Sequence, residues 1–110
     1  MVDETNNQTA NDLKPVEALV MDGGSLNAKA TKKVAPQYPQ IARQNGATGS
    51  VRVYVIVDET GKVIEVSRSE GPILLRSAAE EAARRWTFER ISTEGRPVRL
   101  SGYIDFSFAL

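Results

Sequence analysis

Ser50–Asp58 reads SVRVYVIVD, and Lys62–Ser69 returns as KVIEVSRS across the short link Glu59-Thr60-Gly61. In the first segment Val51, Val53, Val55 and Val57 alternate with Arg52, Tyr54, Ile56 and Asp58. Successive side chains of a strand point to opposite faces, so this alternation describes a strand with one face in a core. Gly61 suits the left-handed position of a three-residue hairpin loop, which makes the two segments antiparallel neighbours. On the returning strand Ile64 and Val66 are the expected core residues. The hairpin decides the fold class, because the rest of the chain must cover its valine face.

Gly71-Pro72 ends the hairpin and opens a helix in which Leu75, Ala78, Ala79, Ala82, Ala83 and Trp86 form one apolar stripe. Its alanines let it lie close to a sheet, while Glu80 with Arg84 and Glu81 with Arg85 are (i, i+4) pairs for the wet side. After Gly95-Arg96-Pro97 comes the strand Val98–Leu110. Val98, Leu100, Gly102, Ile104, Phe106, Phe108 and Leu110 face inward, and Arg99, Ser101, Tyr103, Asp105, Ser107 and Ala109 outward. Upstream, Pro36 and Pro39 hold the chain extended and set up a short helix over Gln40–Gln44, which Asn45-Gly46 stops. The order helix, strand, strand, helix, strand predicts a two-layer α+β domain. Its three-stranded antiparallel sheet has the order 2-1-3, with the short and the long helix on one face. This places the long C-terminal strand at an edge, its backbone donors and acceptors unpaired.

Residues 1–33 read as tail and lead-in, and 34–110 as the domain proper. Residues 1–12 have too few apolar side chains to offset the entropy of ordering and are predicted to be a mobile tail. Pro15–Met21 suits a short strand or a loose turn of helix, broken by Asp22-Gly23-Gly24. Ser25–Lys33 is extended, with room for a short edge strand.

Composition then narrows the function. The 110 residues hold one domain, and 14 basic residues balance 14 acidic ones. That neutrality excludes a nucleic-acid footprint and a basic membrane tract. There is no cysteine and no histidine, which removes thiolate chemistry, the commonest metal ligand and the usual proton-transfer group. Neighbouring Glu80 and Glu81 diverge on a helix, and Asp58-Glu59 is ordinary turn chemistry. Ser25 with Lys29 or Lys32 has no oxyanion site in view, Asp22–Ser25 is too short for a phosphate loop, and Asn7-Gln8-Thr9 is a sequon in a polar tail. The expectation is a binding module with no catalytic residue, cofactor or metal. No run approaches the roughly 18 apolar residues of a membrane span. The polar N-terminus is no signal peptide, so the chain reads as cytosolic or as a piece of a longer protein.

What it binds follows from the edge. Strand addition draws affinity from main-chain pairing and specificity from alternate side chains. The binding element is then Arg99–Ser107, with Arg99, Ser101, Tyr103, Asp105 and Ser107 on its open face. The same edge could serve self-association into a homodimer. Alternatively it is only a core strand blunted by Arg99 and Asp105, or it is covered by the tail or by Ser25–Lys33, which then competes with a ligand.

The ordered set of motifs resembles the C-terminal domain of the TonB energy-transducer family. It comprises Pro36-Gln37-Tyr38-Pro39 with Ile41-Ala42-Arg43, Gly46 with Gly49, Val51-x-Val53-x-Val55, Val57-Asp58-x-x-Gly61-x-Val63, Ala79, Ala82, Ala83, Arg85-Trp86-x-Phe88, Gly95-x-Pro97-Val98 and Ile104-x-Phe106-x-Phe108. Gly24-x-Leu26-x-x-Lys29-Ala30 looks like the lead-in of longer members, and Arg90 stands where a proline is common. The resemblance implies a periplasmic domain of Gram-negative bacteria, joined by a Pro-rich spacer to an inner-membrane helix on which a proton-driven motor complex acts. That helix and spacer are not in this sequence, so the chain is expected to be a soluble C-terminal fragment. It further implies that the domain grips the TonB box of an outer-membrane transporter as an added strand, supporting import of iron-siderophores or cobalamin. Gln37, Tyr38 and Pro39 match the motif that lies near the bound peptide. The alternative is a TolA-like or stand-alone envelope assembly module.

Overall fold

A computed structural model describes residues 19–90, 92–93 and 95–110. The predicted tail 1–12 and most of Pro15–Met21 lie outside the described residues. Strand β1 (Leu19–Ser25) leads through a single 3-10 turn at Asn27–Lys29 into β2 (Ala30–Lys32). Helix α1 (Gln40–Gln44), strands β3 (Gly49–Val57) and β4 (Val63–Glu70) and helix α2 (Ile73–Arg84) follow. Two short strands, β5 (Thr87–Phe88) and β6 (Ser92–Thr93), precede the long β7 (Arg96–Phe108).

The hairpin forms as its alternation requires. Val51, Val53, Val55 and Val57 are buried, and their neighbours are not. Asp58 closes the turn: its carboxylate accepts from the amides of Thr60 (2.9 Å) and Lys62 (3.0 Å) and from the Thr60 hydroxyl (2.7 Å). Partial burial works against its ionisation, but these donors outweigh that and hold the carboxyl below its ordinary range. Gly61 has φ +95°, and a Cβ there would lie 2.0 Å from the Phe88 carbonyl oxygen, so both turn and packing demand glycine. In return the Phe88 amide donates to the Gly61 carbonyl at 2.8 Å, tying β5 to the hairpin. On β4 the expectation is half right: Val66 packs against the core, whereas Ile64 is exposed. Register shifts after Tyr54 and after Ile56 interrupt the simple alternation along this edge strand.

Leu75, Ala79, Ala82 and Ala83 of α2 are buried against the valine face, and Ala42 of α1 joins the same core. Trp86 lies just past the end of α2, where it packs edge-on to Phe106 at 5.3 Å and its indole N–H donates to the Val34 carbonyl at 2.9 Å. Of the two predicted helix pairs, Glu81–Arg85 forms (3.3 Å). Glu80 accepts from the Ser69 hydroxyl (2.5 Å) instead, and Arg84 approaches Glu81 at 4.0 Å.

The sheet differs from the prediction. It is mixed, in the order β1-β7-β3-β4, with β6 paired to the start of β7; β2 and β5 form a separate two-stranded antiparallel sheet. The three predicted strands keep their order and antiparallel sense. What overturns the three-stranded antiparallel sheet is β1, which runs parallel to β7 from Leu19 opposite Val98 to Ser25 opposite Tyr103. Asp22-Gly23-Gly24 does not break this strand but shifts its register by one residue. The cause lies in Gly102, the one inward position of β7 without a side chain. A Cβ there would meet Leu26 Cγ at 2.8 Å and the Gly24 carbonyl oxygen at 2.5 Å. Leu26 fills that space and is fully buried. A glycine among large core residues marks a close approach, and here the lead-in makes it. The C-terminal strand is therefore not an edge over its first half.

Candidate functional site

Strand β7 organises the candidate site. Its inward row from Val98 to Phe108 is buried, while Leu110 lies beyond the strand end and is exposed. The outward residues lie on the solvent face of the sheet and are engaged there. Arg99 donates to Glu59 (3.2 Å), and Arg52 holds Asp105 through two nitrogens (2.9 and 3.4 Å). The Arg52 guanidinium also lies 3.9 Å from the Tyr103 ring centroid, and Tyr103 meets Tyr54 edge-on at 5.9 Å. Arg68 stacks on Tyr54 in the same way and pairs with Glu70. Ser101 is half-buried and Ser107 exposed.

The backbone edge is a separate matter. Over Val98–Tyr103 it faces β1, and the Leu26 amide donates to the Tyr103 carbonyl (2.8 Å). One step further, the side-chain amide of Asn27 takes both backbone groups of Asp105. Its Nδ2 donates to the Asp105 carbonyl (3.0 Å), and its Oδ1 accepts the Asp105 amide (2.9 Å). A primary amide offers one donor and one acceptor side by side, as a strand residue does. Beyond Asp105 no described strand continues the pairing, so Ser107 has the same outward backbone orientation without a neighbouring strand.

The Gln37-Tyr38-Pro39 motif meets β7 at its far end. Tyr38 packs edge-on against Phe108 (5.5 Å) and lies under the Arg43 guanidinium (5.0 Å), and its hydroxyl donates to the Ala47 carbonyl. Pro39 is the N-cap of α1 rather than its first residue, its carbonyl accepting from the Arg43 amide at 3.0 Å. Gln37 is exposed. Together with Ser77, Ala78 and Glu81 of α2 and its C-cap Arg85, the 34–40 segment lines a cleft of about 600 Å³. Tyr38 thus joins the motif to β7 through Phe108, while Arg99 and Ser101 lie at the other end of the strand. Among the described residues no three acidic side chains gather where they could hold a metal ion. No described helix is long and apolar enough to cross a membrane.

Sequence reasoning admits Ser25–Lys33 as a cover for the edge but does not single out Leu26 and Asn27, the residues of that segment that make the cover. The available signal was Gly102: an inward glycine on the clearest core strand requires something to fill its place.

Comparison with known proteins bears on the same elements. A family model described as the Gram-negative bacterial TonB protein C-terminal matches residues 34–110. Protein tonB2 of Pseudomonas aeruginosa is 38% identical over 58% of this chain and 24% of its own length. Protein TonB of Vibrio cholerae is 33% identical over 76% of the chain and 35% of its own length. The corresponding figures for Protein TonB of Xanthomonas campestris are 32%, 80% and 40%. The chain therefore spans between a quarter and two-fifths of the length of these relatives. The solution structure of the Pseudomonas aeruginosa TonB CTD superposes with a TM-score of 0.59 at 26% identity, covering 79% of this chain and 93% of that one. With the matched region running from the Pro-Gln-Tyr-Pro segment to the last strand, the chain belongs to the TonB C-terminal family.

Proposed function

We propose that this domain is the periplasmic, partner-gripping end of an energy transducer. It binds the TonB box of outer-membrane transporters by strand addition beside β7, supporting uptake of iron-siderophores or cobalamin. In the same reading an inner-membrane proton-driven motor supplies the energy that the domain passes on. The observation that carries the reading is the edge of β7, which accepts a strand that does not belong to the hairpin-and-helix core: β1 lies along it in parallel register. The chemistry needed is main-chain pairing, for which neither histidine nor cysteine is required. Self-association through β7 would have to displace the same lead-in, and no described contact favours a second copy over a peptide.

The test is a titration of the 15N-labelled chain with a TonB-box peptide at up to millimolar concentration. Shifts are expected at Arg99, Ser101 and Tyr103, and at Gln37 if the peptide runs on towards Phe108. Unmoved amides along β7 at saturating peptide would refute strand addition here.

A further inference from the structure

Two elements hold the lead-in against β7, and they differ in strength. Strand β1 pairs in parallel, which is slightly weaker per residue than antiparallel pairing, and its register slips at Gly23. Its side chains are largely solvent-facing: Val20 is 61% exposed, and Asp22 and Ser25 are exposed as well. On the other side of β7, β3 pairs antiparallel through nine positions without a slip. Leu26 and Asn27 contrast with β1. One is fully buried over Gly102, and the other grips both backbone groups of Asp105.

Resting on the strand-addition reading above, we infer that β1 is a built-in competitor for the partner's slot. An incoming strand displaces Leu19–Ser25 and pairs with Val98–Gly102 and the Tyr103 amide, while Leu26, which keeps the Tyr103 carbonyl, and Asn27 stay docked and form the far wall of the slot. Addition outside β1 is opposed by the register slip and by Asp22, devices that blunt an edge. The partner is thus an extended peptide competing with a tethered strand, and Asp105 and Ser107 lie outside its main-chain contacts.

Two measurements test this. The first needs no ligand. Asp105 donates towards the lead-in, so Arg99, Ser101 and Tyr103, of the same parity, face β1, and Leu100, Gly102 and Ile104 face β3. Amide exchange is expected to be at least about tenfold faster in the first set, because local opening of a weak element precedes global unfolding. Equal protection of both sets overturns the inference and leaves the strand-addition reading standing.

The second uses the TonB-box peptide with two variants of the full chain. Met21→Pro disrupts the middle of β1 and is expected to bind about tenfold tighter, since a larger fraction of the protein has the slot open. Unchanged shifts of Val53 and Ile104 establish that the core is intact. Cysteines at Val20 and Arg99, opposed in register, lock β1 when oxidised and release it when reduced. The chain has no other cysteine. Because Arg99 lies in the slot, the two forms are compared with each other and not with the parent: oxidation is expected to abolish the binding that the reduced form shows. If Met21→Pro binds as the parent does, or the oxidised form binds as well as the reduced one, β1 is no competitor. Binding by none of the forms, the opened variant included, refutes the strand-addition reading and this inference with it.

Discussion

A double-mutant cycle on Leu26 and Gly102 measures how firmly the lead-in is built into the core. Leu26 is fully buried, so Leu26→Ala is expected to cost about 2–4 kcal/mol, the range for emptying a leucine site that collapses incompletely. Gly102→Ala inserts a methyl 2.8–2.9 Å from Leu26 Cγ and Cδ2 and 2.5 Å from the Gly24 carbonyl oxygen. Overpacking of that kind costs about 1–3 kcal/mol, reduced by roughly 0.5–1 kcal/mol because alanine loses less backbone entropy than glycine in a strand. In the Leu26→Ala background the two side-chain collisions disappear and only the carbonyl remains. The pair should therefore cost less than the sum of the singles by about 1 kcal/mol. Urea unfolding followed by Trp86, the single tryptophan, reads each term; a loss of about 3 kcal/mol moves the midpoint by roughly 1–3 M. Additivity within about 0.5 kcal/mol would refute the argument that Gly102 is empty to receive Leu26. So would a Leu26→Ala cost below about 1 kcal/mol, since a buried leucine cannot be removed so cheaply.

Three further perturbations have definite expected outcomes. Asn27→Ala strips the Asp105 amide and carbonyl of their partners; a loss of about 1–2 kcal/mol and faster exchange of the Asp105 amide are expected by NMR. Gly61→Ala combines a left-handed φ with a 2.0 Å collision against the Phe88 carbonyl, so more than about 2 kcal/mol should be lost in urea melts, with the β5 contact released. Asp58 has a depressed carboxyl, so its stabilising contribution is complete above the unfolded value of about 3.9 and is lost as pH falls through the lower folded value. The stability gap between the parent and Asp58→Ala should accordingly be constant near neutrality and close only in acid, and a gap that persisted unchanged into strong acid would remove the carboxylate from the explanation.

Local rules made most of the core legible. Period-two alternation located β3 and the inward row of β7, and the alanine stripe located α2, because each pattern is imposed by one element on one buried face. Ile64 departs from the expected face because the register shifts in the β3–β4 ladder turn its side chain outward, and such slips leave no mark in a short apolar run. Strand β1 was harder still. Asp22-Gly23-Gly24 has the composition of a breaker, and its strand character comes from β7, almost eighty residues away in the chain. The same holds for Asn27, whose role exists only through Asp105. Of the candidate site, the motif at Gln37–Pro39 and the alternation of β7 could be read locally. The occupancy of the edge could not, since it is a property of two distant segments together.

That occupancy changes the energetics of partner binding. A strand that adds to an open edge gains every main-chain hydrogen bond it makes. A strand that replaces β1 exchanges one set of such bonds for another, so the backbone term nearly cancels. The residual preference must come from side chains, and Val20 of β1 is 61% exposed. The competitor is nevertheless tethered, and a short flexible tether holds its strand at an effective concentration on the order of millimolar. A free peptide with no better side chains would therefore need roughly millimolar concentration to open the slot. A partner that buries even one large apolar residue where β1 presents an exposed one gains about 1.5–3 kcal/mol, or ten- to a hundredfold, over the resident strand. Discrimination between partners is thus expected to reside in the side chains opposite Val98–Tyr103, and a peptide series varied at one apolar position should show it as a steep change in affinity with the exchange rates of the free protein unaltered.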